Sequence, residues 1–127
     1  NNAVKEKIET AIAITKDGTV YKCFGTADRV FPDADLGDKL KGSIVSHNHP
    51  MAVTAHTFSK DDVDLFMKYN IESLRGCDEK YTYVLTRDSS QVDDIPDNWT
   101  NFENFEHIRI IELAKKLGIG YRRWMNE

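Results

Sequence analysis

The chain has 127 residues and a mass of 14.6 kDa, which is the size of one ordinary domain. Charged residues make up 30% and hydrophobic residues 40%, a balance that excludes a wholly disordered chain. The net charge of -4 argues against a duplex nucleic-acid binder, which usually has a basic excess. No stretch approaches the roughly 18 consecutive apolar residues of a membrane-spanning helix, so we expect no membrane contact.

The N-terminus and the cysteines bear on location. The first four residues do not resemble a signal peptide and lack an initiator Met, so we expect a processed chain or a piece of a longer one. Cys23 and Cys77 form no CxxC pair and are interpreted as small buried hydrophobes with free thiols. Both features favour a reducing, cytoplasmic compartment.

The first half of the chain predicts short strands. Residues 8–15 and 20–24 have strand-like patterns, and the Asp-Gly pair between them is typical of a hairpin turn. Residues 25–37 hold Gly, Pro and three aspartates, and predict a loop. Residues 43–46 are a short, partly β-branched run that predicts a buried strand, which ends at Pro50.

The second half predicts helices and further strands. The predicted elements are a loop up to Phe58, a helix from Ser59 to about Ser73, an extended piece over 74–77, a strand over 81–86, an acidic loop over 87–100 and a helix over 101–117 ending at Gly118. Together they predict one α+β domain over residues 1–127, with a layer of helices against a sheet of mostly short strands.

One group of residues has the composition of a metal site. His47 and His49 are two apart at the end of a predicted strand, so their side chains point to the same side. Asp62 falls in the first turn of the next predicted helix, which would bring a carboxylate to the two imidazoles. Two His and one carboxylate make an open, three-ligand zinc site of catalytic type. Glu9, on the first strand, is the best candidate for the general base that zinc hydrolases require.

Simpler explanations stay open for each of these residues. Ser59 and Asp62 have the spacing of a helix capping box, a role compatible with metal binding. An HxH pair at a strand end is also explained by ordinary surface or core histidines, and Glu9 by a solvated side chain. His56 is either a surface residue or a fourth ligand that would close the site and make it structural.

Taken together, these motifs resemble those of a known family. A glutamate (Glu9), the run His47-Asn48-His49-Pro50 and the SxxD run from Ser59 to Asp62 resemble the signature of the JAB/MPN/JAMM metalloprotease superfamily. The HNHP form is most similar to the RadC-like branch. Residues 42–85 also resemble RadC-like domains at the C-termini of phage minor head proteins.

The resemblance implies an α/β/α-like fold, with a mixed, mostly antiparallel small sheet flanked by helices in a cytidine-deaminase-like, JAB-type architecture. It implies zinc bound by His47, His49 and Asp62, and a zinc-activated water with Glu9 as general acid/base. Ser59 would help to bind the oxyanion. The implied activity is that of a peptidase or isopeptidase.

The implied partners are a peptide or protein substrate and other phage head components, with a cytoplasmic or virion-associated location. We do not expect nucleic acid, because the only basic cluster is small and lies near Trp124. Nine residues separate His49 from Ser59, two more than the common pattern. This departure keeps open an alternative, a non-catalytic virion structural or binding module with the same fold.

Overall fold

The structure is a computed structural model that describes residues 10–24, 36–48, 56–88, 91–93, 95–96 and 98–126. Its strands and helices, in chain order, are β1 (Thr10–Ile14), β2 (Val20–Phe24), a 3₁₀ helix (Gly37–Leu40), β3 (Ile44–Asn48), β4 (His56–Ser59), α1 (Lys60–Lys68), β5 (Ser73–Cys77), β6 (Tyr81–Thr86), β7 (Asn104–Glu106), α2 (His107–Leu117) and β8 (Gly120–Met125). Most of the predicted loop over 25–37 lies outside the described residues.

The described strands form two sheets. The larger has six strands in the order β2-β1-β3-β5-β6-β8, and β4 pairs with β7 in a separate two-stranded sheet. All neighbours are antiparallel except β3 and β5, which run parallel because α1 connects them as a crossover. The predicted α+β class, with a mixed and mostly antiparallel sheet, is confirmed.

The first hairpin forms where the Asp-Gly pair predicts it. Gly18 has a φ of 88°, a left-handed conformation that favours glycine. The Asp17 carboxylate accepts hydrogen bonds from the Thr15 hydroxyl at 2.5 Å and from the Thr19 amide at 3.1 Å. Those bonds lower the pKa of Asp17, and they hold β1 against β2 in register.

The six-stranded sheet has two unlike faces. Alternate strand residues such as Ala11, Val45 and Leu85 are buried in one hydrophobic core, together with the apolar faces of both helices. The opposite alternation exposes residues such as Ile12 and Ile14 on the other face. The described helices therefore cover a single face. Neither of them is long and apolar enough to span a membrane.

Helix α1 is shorter than predicted. It ends at Lys68 instead of about Ser73, because Asn70 adopts a φ of 52° and turns the chain towards β5. The Arg87 side chain binds the end of this turn, donating from Nε to the Ile71 carbonyl at 2.7 Å and from Nη2 to the Phe66 carbonyl. A distant arginine thus bonds one carbonyl in the last turn of α1 and one in the turn that follows it.

Three further segments differ from the prediction. Residues 104–106, predicted to be helical, form β7, and α2 begins only at His107. The end of the predicted loop forms β4, because β7 offers it a partner strand. The last segment, Gly120–Met125, forms the edge strand β8 on β6, which the sequence pattern did not predict.

Candidate metal centre

Strand β3 carries His47 into the centre of the sheet. The strand lies between β1 and β5, and His47 is in register with Ala11 on one side and Gly76 on the other. Because it follows Val45 by two positions, its side chain lies on the helix-covered face, where it is only 5% exposed. A buried imidazole at a strand end is well placed to act as a ligand.

The N-terminus of α1 carries the facing carboxylate. Ser59 is the N-cap, and its hydroxyl accepts a hydrogen bond from the Asp62 amide at 3.1 Å. In return the Ser59 amide donates to Asp62 Oδ2 at 2.8 Å. The predicted capping box is therefore confirmed, with Asp in place of the usual Glu or Gln. These two bonds hold the Asp62 side chain in one orientation.

The two side chains converge. His47 Nε2 lies 3.6 Å from Asp62 Oδ2, the same oxygen that takes part in the capping box. This separation exceeds the 2.7–3.2 Å of a normal N–H···O hydrogen bond. Two ligands of a tetrahedral zinc ion, each roughly 2.0–2.1 Å from the metal, lie about 3.3 Å apart. The spacing of these two atoms fits a shared metal ion with little adjustment.

Aromatic side chains form the walls around His47. Its ring lies 6.1 Å from that of Phe58, and Phe58 meets Tyr83 edge-on at 5.0 Å. A Cβ atom at Gly76 would lie 3.3 Å from His47 Cε1 and less than 3.0 Å from the Tyr83 ring. The absent side chain at Gly76 therefore lets the two rings approach the same point of β5.

The aromatic cluster around His47 is buried and lies close to the Asp62 carboxylate. Burial raises the pKa of the Tyr83 phenol well above its usual value, and the charges of Asp78 and Asp62 raise it further. Tyr83 is thus neutral at physiological pH. An uncharged, largely buried wall beside His47 would strengthen the interaction of the imidazole and the carboxylate with a cation bound there.

A second contact ties the end of β3 to the beginning of β1. Asn48 Oδ1 accepts hydrogen bonds from the Thr10 amide at 2.6 Å and from the Thr10 hydroxyl at 2.9 Å. Both residues are buried. The bonds fix the start of β1 against the end of β3, next to His47.

The structure describes three of the five predicted site residues. It brings His47 and Asp62 together and places Ser59 beside them, whereas Glu9 and His49 lie outside the described residues. Among the described residues, no three His, Cys, Asp or Glu side chains form a group able to hold a metal. The backbone of His56 lies in β4, and its side chain is outside the described part.

Sequence reasoning missed several residues that shape this centre. Asn48 is part of the HNHP run, but its bond to Thr10 depends on the pairing of β1 with β3. Gly76 and Tyr83 had no assigned role. A glycine inside a predicted strand indicates that another group approaches the backbone closely, and this is the signal that the sequence offers at Gly76.

Comparison with known proteins gives no match. No protein-family model, no curated protein and no solved structure matches the chain.

Proposed function

We propose that this protein is a zinc-dependent hydrolase of the JAB/MPN/JAMM type that cleaves a peptide or isopeptide bond, with a JAB-type architecture. The observation that carries the proposal is the 3.6 Å separation between His47 Nε2 and Asp62 Oδ2 in a buried site. These are the residues that the HxH and SxxD motifs assign to the metal. Their convergence supports the motif reading over an accidental pattern.

The donor set suits zinc. Imidazole nitrogen and carboxylate oxygen are both common zinc ligands, and two His with one carboxylate leave the fourth position open in catalytic sites. His47 and Asp62 would supply two ligands and His49 the third. When bound, zinc acts as a Lewis acid and makes a water nucleophile available near neutral pH.

The chain's own residues would carry the remaining tasks. Glu9 would accept the proton of the attacking water and pass it to the leaving amine. The Ser59 hydroxyl oxygen accepts a hydrogen bond from the Asp62 amide. The hydroxyl proton is therefore left to donate to the oxyanion of the tetrahedral intermediate.

Zinc binding is the first test. Metal-free full chain is titrated with ZnCl₂ by calorimetry, alongside His47→Ala and Asp62→Asn. We expect one zinc per chain, with affinity at least about 100-fold weaker in both variants, since each loses a direct ligand. Asp61→Asn is the matched control, because it removes the same charge from the neighbouring exposed position of α1. Absence of zinc binding by the parent chain at neutral pH rejects the proposal.

Cleavage is the second test. A panel of peptide- and isopeptide-linked substrates is incubated with the zinc-loaded chain and with Glu9→Gln, and products are followed by mass spectrometry. We expect cleavage by the parent chain and a loss of at least about 100-fold in Glu9→Gln, as for a general base. Unchanged cleavage by the variant would show that the assigned proton transfer is wrong.

A second candidate is a non-catalytic module, such as a structural component of a phage head. The longer segment between His49 and Ser59 favours it, because the last part of this segment forms β4, whose Phe58 is fully buried. This last part of the segment therefore has a structural role that is independent of catalysis. Zinc binding without cleavage of any substrate in the panel would favour this second candidate.

A further inference from the structure

The face of the six-stranded sheet opposite the helices presents an aliphatic patch. Val20, Ile14 and Ile44 are direct neighbours across β2, β1 and β3, and they are 62%, 41% and 47% exposed. Ile12 adjoins them on the same face and is 42% exposed. A contiguous group of exposed β-branched side chains is unusual on a protein surface unless it marks an interaction site.

A basic and aromatic cluster adjoins this patch on the same face. Arg75 on β5 and Arg122 on β8 are the direct neighbours of Val84 on β6, which is only 2% exposed. The two guanidinium carbons lie 5.4 and 5.5 Å from the centre of the Trp124 ring. Stacking on Trp124 holds both positive charges in place before any partner arrives.

A pocket joins the two regions. It has a volume of about 350 Å³ and is lined by Ile12 from the patch, by Arg75 and Trp124, and by polar side chains including Ser46 and Thr82. Apolar wall, hydroxyl groups and a guanidinium therefore meet in one concavity. Trp and Arg are also the residue types that most often contribute the binding energy of protein interfaces.

The charges of this face indicate which chemical groups its partner should carry. Within the described residues neither Arg75 nor Arg122 has an ion-pair partner, although the chain as a whole has a net charge of -4. Guanidinium groups that pair with no carboxylate among the described residues favour a carboxylate on a partner, which arginine binds with paired hydrogen bonds. The neighbouring patch favours aliphatic side chains.

We propose that this open face binds an acidic polypeptide segment of a partner protein, with aliphatic side chains on the patch and carboxylates at Arg75 and Arg122. A second copy of the same face would bring like charges together, which is unfavourable. Single-stranded nucleic acid would leave the aliphatic patch uncovered and would meet a chain of negative net charge. The pocket within this face is also lined by His47 of the candidate metal centre, but neither the aliphatic contacts nor the arginine contacts of the proposed partner need a bound metal.

Peptide selection tests the proposal. Six strands about 4.8 Å apart span about 24 Å, the reach of an extended segment of about eight residues. A random library of peptides of that length is panned on the full chain and counter-selected on the double variant Arg75→Glu/Arg122→Glu. We expect the selected peptides to combine Asp or Glu with Leu, Ile or Val.

Affinities of the selected peptides are then measured by calorimetry. We expect at least about ten-fold weaker binding to the double variant and to Ile14→Glu, as for truncation of an interface hot spot. Lys115→Glu/Lys116→Glu is the matched control, because it changes charge equally on the exposed surface of α2 and should leave affinity unchanged. Ile14→Thr, which keeps a β-branched side chain, replaces Ile14→Glu if that variant fails to fold.

Four results would overturn the proposal. The first is a selection in which no peptide distinguishes the parent chain from the double variant, and the second is enrichment of basic peptides. The third is binding of a single-stranded oligonucleotide that Arg75→Glu/Arg122→Glu abolishes. The fourth is a dimer, seen by sedimentation, that Ile14→Glu dissociates.

Discussion

Replacement of Gly76 by Ala tests how the sheet positions the candidate metal ligand. The added methyl group would lie less than 3.0 Å from the Tyr83 ring and 3.3 Å from His47 Cε1. Tyr83 cannot retreat freely, because it is 1% exposed and packs edge-on against the fully buried Phe58. Part of the displacement must therefore reach the His47 ring.

Two magnitudes follow from this geometry. Overpacking of a filled core costs about 1–3 kcal/mol, so chemical denaturation should show a fall of that size in the free energy of unfolding. A mutation in the residues that orient a metal ligand typically weakens metal binding by about 10- to 100-fold. We therefore expect Gly76→Ala to fold, to be less stable and to bind zinc about 10- to 100-fold more weakly in calorimetry.

Gly120→Ala is the matched control for this prediction. A methyl group there also lies less than 3.0 Å from a neighbour, but that neighbour is the Thr86 hydroxyl on the sheet face away from His47. We expect a stability loss without a change in zinc affinity. If the parent chain binds zinc and both glycine variants bind it equally well, the reasoning about His47 positioning is wrong.

Three further predictions concern the fold. Ser59→Ala removes the N-cap acceptor of α1 and should lower the free energy of unfolding by about 1 kcal/mol in a urea titration, whereas Ser59→Asn, which retains an acceptor, should nearly restore it. Arg87→Lys keeps the charge but cannot reproduce the forked bonds to the Phe66 and Ile71 carbonyls at the end of α1 and just beyond it, so it should cost about 1–3 kcal/mol by the same assay; an unchanged midpoint would contradict this. Burial raises the pKa of Tyr121 to about 12 from 10.0, so stability should fall as pH rises between those values, where the unfolded chain ionises and the folded chain does not. Tyr121→Phe should remove that part of the alkaline loss, and an absorbance titration of the parent chain that shows Tyr121 ionising near pH 10 would refute the assignment.

Local sequence determined the elements whose signals are short-range. The Asp17-Gly18 pair predicts the first hairpin, because its turn is stabilised by bonds within five residues of chain. The Ser59-x-x-Asp62 spacing likewise predicts the capping box and the start of α1, since both partners lie in one helical turn. The side chains of residues 81–86 alternate with the period of two that is typical of a strand. Pairing with β5 adds the backbone hydrogen bonds to a strand that the local pattern already predicts.

Elements that depend on distant partners were decided by the tertiary structure. The residues before α2 have apolar positions that also fit a helix, but Phe105 enters a strand because β4 lies beside it. Residues 120–125 form edge strand β8 because they pair with the backbone hydrogen-bonding groups of β6. A local sequence pattern cannot predict this pairing, because β6 is distant in the chain. The same holds for the candidate site: the motifs name His47 and Asp62, but only the parallel crossover from β3 through α1 to β5 brings the imidazole within 3.6 Å of the carboxylate.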